Sequence, residues 1–179
     1  MKVILAGTST GQCVATLLGV LQTNFGVAEC QLTMIQANTR TDTNTLDDRA
    51  EGEVKDWRLG RGAVQNIIPC TTNTDALAEE VLEVTGWQGG ALTTSSYLVP
   101  PTCPVSVVDL TVRLVREEQY SNVCERLRKL SQSGPLRRVL GYSEAALVSS
   151  DLVSDSHSAV VDSRAGHQTG PDTLRLVAW

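Results

Sequence analysis

Apolar residues recur at helical spacing in three stretches of the chain. Residues 10–23 place Val14, Leu17, Leu18 and Leu21 at i, i+3, i+4 and i+7, one stripe of a helix. Residues 117–132 repeat the stripe with Tyr120, Val123, Cys124, Leu127 and Leu130, and Gly134-Pro135 stops it. Residues 74–85 carry Leu77, Val81 and Val84, with Thr72 or Asn73 placed to cap the helix. Strand-like runs occupy 2–6, 27–36, 91–99, 105–115 and 172–178. In 105–115, Val108, Leu110, Val112 and Leu114 alternate with Val107, Asp109, Thr111 and Arg113, which gives one mostly apolar face. Strand runs with three helices and no βαβ nucleotide fingerprint predict an α+β fold. The expected architecture is a mixed, largely antiparallel sheet with about three helices on one face.

Length and composition narrow this picture. At 179 residues and 41% hydrophobic, residues 1–179 are read as a single domain with an adequate core. A net charge of -5, only 4% aromatics and no basic block longer than Arg126–Lys129 argue against nucleic acid as a partner. The five cysteines contain no C-x-x-C pair and there are only two histidines, so no zinc site is expected. No apolar stretch approaches the roughly 20 residues that span a membrane. Met1-Lys2 leads straight into a strand-like run, so no signal peptide is expected and the setting is read as cytoplasmic or nuclear.

Motifs carry the chemistry. The segment GPLRRVLGYSEAALVSSDLVSDSHSAVVDSRAG lies within the chain's last third, with VSVVDLTV at 105–112 and WRLGRGAVQNIIP at 57–69 ahead of it. In order and spacing these resemble the catalytic domain of phosphorylating glyceraldehyde-3-phosphate dehydrogenase, over essentially Met1 to Trp179. The resemblance also fixes a register. Asn24-Phe25-Gly26-Val27 stands for the family's N-F-G-I, fifteen residues after its catalytic cysteine, and counting back lands on Ser9. The family's T-V-H-A-Y-T becomes Met34-Ile35-Gln36-Ala37-Asn38-Thr39, which puts its catalytic histidine at Gln36.

That register implies a loss of mechanism. The family's thiolate attacks an aldehyde, and an imidazole beside it lowers the thiol pKa and shuttles the proton. Ser9 and Gln36 are degenerate versions of both positions: a hydroxyl is a poor nucleophile without a base, and an amide accepts no proton at neutral pH. The sequence offers no histidine, lysine or carboxylate as a base for Ser9, which is read as a helix N-cap or a vestige. The family's phosphate-binding hydroxyls map onto Thr8, Thr10, Thr39 and Thr72, but its arginine clamp falls at about Val99. Cys70-Thr71-Thr72-Asn73 spells the family's nucleophile string, yet it follows Gln65-Asn66-Ile67-Ile68-Pro69, and Tyr97 stands where a histidine would be needed. Cys70 is therefore read as a loop cysteine.

No G-x-G-x-x-G occurs and Met1-Lys2-Val3-Ile4 already leads into the motif around Ser9, so no dinucleotide domain and no cofactor are expected. Residues 40–56 are a long polar loop, either solvated or matching the family's interface-crossing loop. The implied function is non-enzymatic: an inactive, dehydrogenase-derived protein that works through protein partners. A homo-oligomer, with a dimer favoured, is expected through the sheet face that the helices leave open. Co-assembly with an intact dehydrogenase is the variant. The rival readings are a residual Ser9-based enzyme and an anion-binding regulatory domain built on the threonines.

Overall fold

The computed structural model describes residues 7–38, 58, 62, 64–70, 74–87 and 90–179, with the backbone only at 74–78 and 84. The strand expected at 2–6, the loop at 40–56, Thr39 and Thr72 lie outside the described residues.

In chain order the elements are α1 (Ser9–Phe25), β1 (Val27–Ala37), β2 (Ile68–Cys70), α2 (Thr74–Thr85), β3 (Leu92–Val99) and β4 (Val107–Leu114). They continue with α3 (Tyr120–Gln132), β5 (Leu140–Ser143), β6 (Ala159–Gln168) and β7 (Thr173–Ala178). Short 3-10 turns cover Pro135–Arg138 and Ser149–Leu152. The seven strands form one sheet in the order β2-β3-β1-β4-β7-β6-β5. The β1–β3 and β5–β6 pairs are parallel, while β1–β4, β2–β3, β4–β7 and β6–β7 are antiparallel. This is the mixed, largely antiparallel sheet expected from the patterning.

The apolar stripe of α1 decides which face is covered. Val14, Leu17, Leu18 and Leu21 are 0% exposed and share one core with Leu32 and Met34 of β1, with Leu110 and Val112 of β4, and with Val123 and Leu127 of α3. Each fully buried aliphatic side chain contributes about 1.5–3 kcal/mol, so this stripe holds the helix to the sheet. Trp87 follows α2 into the same core and donates its indole N–H to the Val27 carbonyl at 2.8 Å.

Helix α1 ends at Gly26, whose φ of 71° lies in the region that suits glycine, and whose N–H reaches the Leu21 and Gln22 carbonyls. The chain then turns directly into β1. This tight join places β1 beneath the helix it follows, and it carries Gln36 back to the helix N-terminus.

The other face of the sheet meets no described helix. Opposite residues share a face in an antiparallel ladder, so Glu29, Thr33, Asp109, Thr111, Arg113 and Arg175 all project there. Their charges pair within the plane of the sheet. Arg175 Nε donates to both oxygens of Asp109 at 2.8 and 3.0 Å, and Arg113 Nη2 lies 2.7 Å from Glu29. The Thr33 and Ser95 hydroxyls bond at 2.9 Å.

Candidate functional site

Of the residues singled out by register, Thr8, Ser9, Thr10 and Gln36 meet at the N-terminus of α1. Thr8, in extended conformation, is the N-cap: its hydroxyl accepts the Gly11 N–H at 2.9 Å. The expectation that Ser9 caps the helix is therefore corrected by one position. An N-cap must keep a non-helical backbone, and Ser9 is already the first helical residue. Its hydroxyl is exposed and has no hydrogen-bond partner among the described residues.

Gln36 arrives from β1. Period-two alternation puts it on the covered face with Leu32 and Met34, aimed at α1. Its Nε2 donates to Thr10 Oγ1 at 3.0 Å. The register thus brings position 36 to within one residue of Ser9, and the pair there is an amide and a hydroxyl.

Two features were missed in the sequence. Glu80, on α2, reaches the same helix end: it accepts the Thr8 N–H at 2.9 Å and the Thr8 hydroxyl at 3.0 Å. A β-carbon at Gly11 would collide with that carboxylate, so glycine is what admits it. A carboxylate is favourable at a helix N-terminus, and here it satisfies donors that an external anion would otherwise use. Thr8 and Thr10, the described members of the threonine set, are thus both bonded within the protein. The second feature is Asn38, two residues beyond Gln36. It is 4% exposed, and neither atom of its amide has a hydrogen-bond partner among the described residues.

Cys13 lies one turn beyond Ser9 on α1, and Cys70 ends β2. Burial pushes the Cys13 thiol up to about 12, so it stays protonated at neutral pH. Cys70 ends β2 opposite Ser96, with Pro69 opposite Tyr97.

Beside Ser9 opens a cavity of about 290 Å3, lined among others by Thr10, Asp155, His157, Ser158 and Trp179. No spacing along the chain assigns Ser9 a base. The fold brings a histidine and a carboxylate to its cavity from the turn ahead of β6, about 150 positions away. Among the described residues no group of three or more metal-ligating side chains is present. No described helix is long and apolar enough to cross a membrane.

The family model described as "Glyceraldehyde 3-phosphate dehydrogenase, C-terminal domain" matches residues 8–179. The chain belongs to that family. It is 39% identical to glyceraldehyde-3-phosphate dehydrogenase 2 of Danio rerio over 179 residues, all of this chain and 51% of the relative. It is 40% identical to glyceraldehyde-3-phosphate dehydrogenase 1 of Schizosaccharomyces pombe over 178 residues, 99% of this chain and 50% of the relative. Glyceraldehyde-3-phosphate dehydrogenase 3 of Saccharomyces cerevisiae is 40% identical over 179 residues, again all of this chain and 51% of the relative. The chain spans about half the length of the curated relatives it matches. In this member of the family, the candidate site is a helix N-terminus that carries Ser9, with Gln36 bonded to Thr10 and Glu80 bonded to Thr8.

Proposed function

We propose that this protein is a dehydrogenase-derived interaction module with no glyceraldehyde 3-phosphate oxidation of its own, assembling as a dimer through the open face of its sheet. The observation that carries the first half is the Gln36–Thr10 hydrogen bond beside Ser9. The resemblance puts thiol and imidazole at positions 9 and 36. A hydroxyl and an amide held at the same place form no thiohemiacetal and relay no proton.

The second half draws on the open face. Its charges are neutralised in the plane by Asp109–Arg175 and Glu29–Arg113, with Val107 and Ile35 paired at the end of the same face beyond Asp109. Paired charge with apolar interruptions is the make-up of a protein interface. Self-association through one self-complementary patch needs a single two-fold axis.

Light scattering after size exclusion, at about tens of micromolar where weak interfaces still populate, tests this reading. The expected mass is twice that of the chain. Asp109→Lys, which leaves Arg175 facing a like charge, is expected to give a monomer with an unchanged circular dichroism spectrum. A monomeric wild type overturns the dimer, and a mixed species formed with added intact dehydrogenase assigns the face to that partner instead.

A further inference from the structure

We propose that Ser131, on the last turn of α3, is a phosphorylation site for an ATP-dependent protein kinase that selects basic residues ahead of its target. The modification is separate from dehydrogenase chemistry and from assembly.

Charge sets this stretch apart. The chain carries a net charge of -5, yet residues 126–143 hold Arg126, Arg128, Lys129, Arg137 and Arg138 and no carboxylate. All five cations are exposed. Arg126 Nε donates to Asn24, and Lys129 pairs with Glu125 one turn earlier at 2.6 Å. That exposed pair is worth little and gives way to a better partner. Arg128, Arg137 and Arg138 make no ion pair and no side-chain hydrogen bond among the described residues. A guanidinium fork left to water can take a carboxylate through two parallel N–H···O bonds.

Spacing then selects the serine. Two basic pairs lie in the stretch, Arg128-Lys129 and Arg137-Arg138. Two residues beyond the first stands Ser131, and two beyond the second stands Leu140, which is fully buried. No other serine or threonine of the chain has basic residues both two and three positions ahead of it. Charge patterns at fixed distance from the acceptor are how kinases separate substrates.

The end of α3 lets the segment open. The helix stops at Gln132, Ser133 is already extended at φ -147° and ψ 155°, and Gly134 follows at φ 85°. Helix ends fray first, and only the turn from Arg128 onward has to unwind. Leu127, fully buried, anchors the turns before it, while Leu130 only packs against the edge of the core. The bonds that close the turn are few. The Ser131 hydroxyl donates to the Arg128 carbonyl at 2.8 Å, and the Ser133 hydroxyl and N–H both reach the Lys129 carbonyl.

In the transfer, Ser131 Oγ bonds to the γ-phosphorus of ATP as the bond from that phosphorus to its bridging oxygen breaks. ADP leaves with the electron pair, and the hydroxyl proton passes to the catalytic carboxylate of the kinase. The product places about -1.5 to -2 of charge at the negative end of the helix dipole. It also removes the donor that held the Arg128 carbonyl, so the last turn loosens. Helix α3 packs on the covered side of the sheet, which keeps the phosphate away from the open face.

The test incubates the folded chain with ATP and the catalytic subunit of cyclic-AMP-dependent protein kinase, a basic-directed enzyme, and locates phosphate by peptide mapping. One phosphate on Ser131 is expected, and none there in Ser131→Ala. Arg128→Ala with Lys129→Ala is expected to slow the reaction by about 10-fold or more, as loss of charge-assisted bonds does. Arg137→Ala with Arg138→Ala removes the same charge and should stay within about 3-fold of the wild-type rate. Arg128→Gln alone, at an exposed position, serves where the first double variant does not fold. The phosphorylated chain should keep the light-scattering mass of the unmodified one. No phosphate on the folded chain, phosphate on another residue alone, or equal slowing in the two double variants overturns the proposal.

Discussion

Along α1 two regions obey different rules. Its middle turns bury Val14, Leu17, Leu18 and Leu21 completely in a core shared with β1, β4 and α3. Its first turn carries Thr8, Ser9 and Thr10, whose neighbours are an amide and a carboxylate. The core depends on summed volume and apolar area, so many sequences satisfy it and the fold survives at about 40% identity. The first turn depends on a few atoms, and exchanging two side chains there changes what chemistry is possible while leaving the scaffold standing.

That contrast can be broken at either end. The largest effect is expected in the middle: Leu18→Ala should cost about 2–5 kcal/mol in urea unfolding, whereas Ser9→Ala, at an exposed position, should stay within about 0.5 kcal/mol. Comparable losses would erase the distinction. Asn38→Leu should raise stability by about 1–3 kcal/mol, because it removes a buried amide with no partner among the described residues. A loss would mean that the amide is satisfied in solution. Glu80→Ala should cost about 1 kcal/mol or less, since its bonds to Thr8 are exposed.

The core also sets a pH dependence that the first turn does not. Burial raises Cys13 and Cys30 from 9.0 to about 12. The folded state therefore holds these protons more tightly than the unfolded chain. The resulting stability is complete below about 9 and is lost as pH rises through about 12. A urea midpoint that stays flat from pH 8 to pH 11 would contradict this burial.

Most of the covered face was legible in sequence. The stripe in α1 and the alternation of β4 show simple periods, and Val108, Leu110, Val112 and Leu114 do pack under the helices. The strands that escaped notice lack that simplicity. β2 has only three residues, β5 contains Gly141, and β6 buries four successive residues, Ala159 to Asp162, so no alternation appears. Buried Asp162 occupies a core position because its carboxylate accepts the Arg164 and Ala165 N–H groups and the Trp179 indole.

At the candidate site, Ser9 and Gln36 were singled out by counting from a local anchor. Glu80 and the Asp155–His157 pair were not, because only the tertiary fold brings α2 and the turn before β6 to the start of α1. No local spacing encodes that meeting.

The central claim is that the scaffold still presents positions 9 and 36 to each other while the chemistry has been exchanged. Alkylation of Ser9→Cys by iodoacetamide at pH 7, followed at that residue by peptide mapping, tests it with and without Gln36→His. The single variant sets the baseline rate for a thiol at this position. The double variant should react about 10-fold faster or more, because an imidazole placed beside a thiol stabilises the thiolate. Equal rates in the two variants would contradict the account, since they would mean that residue 36 does not reach residue 9.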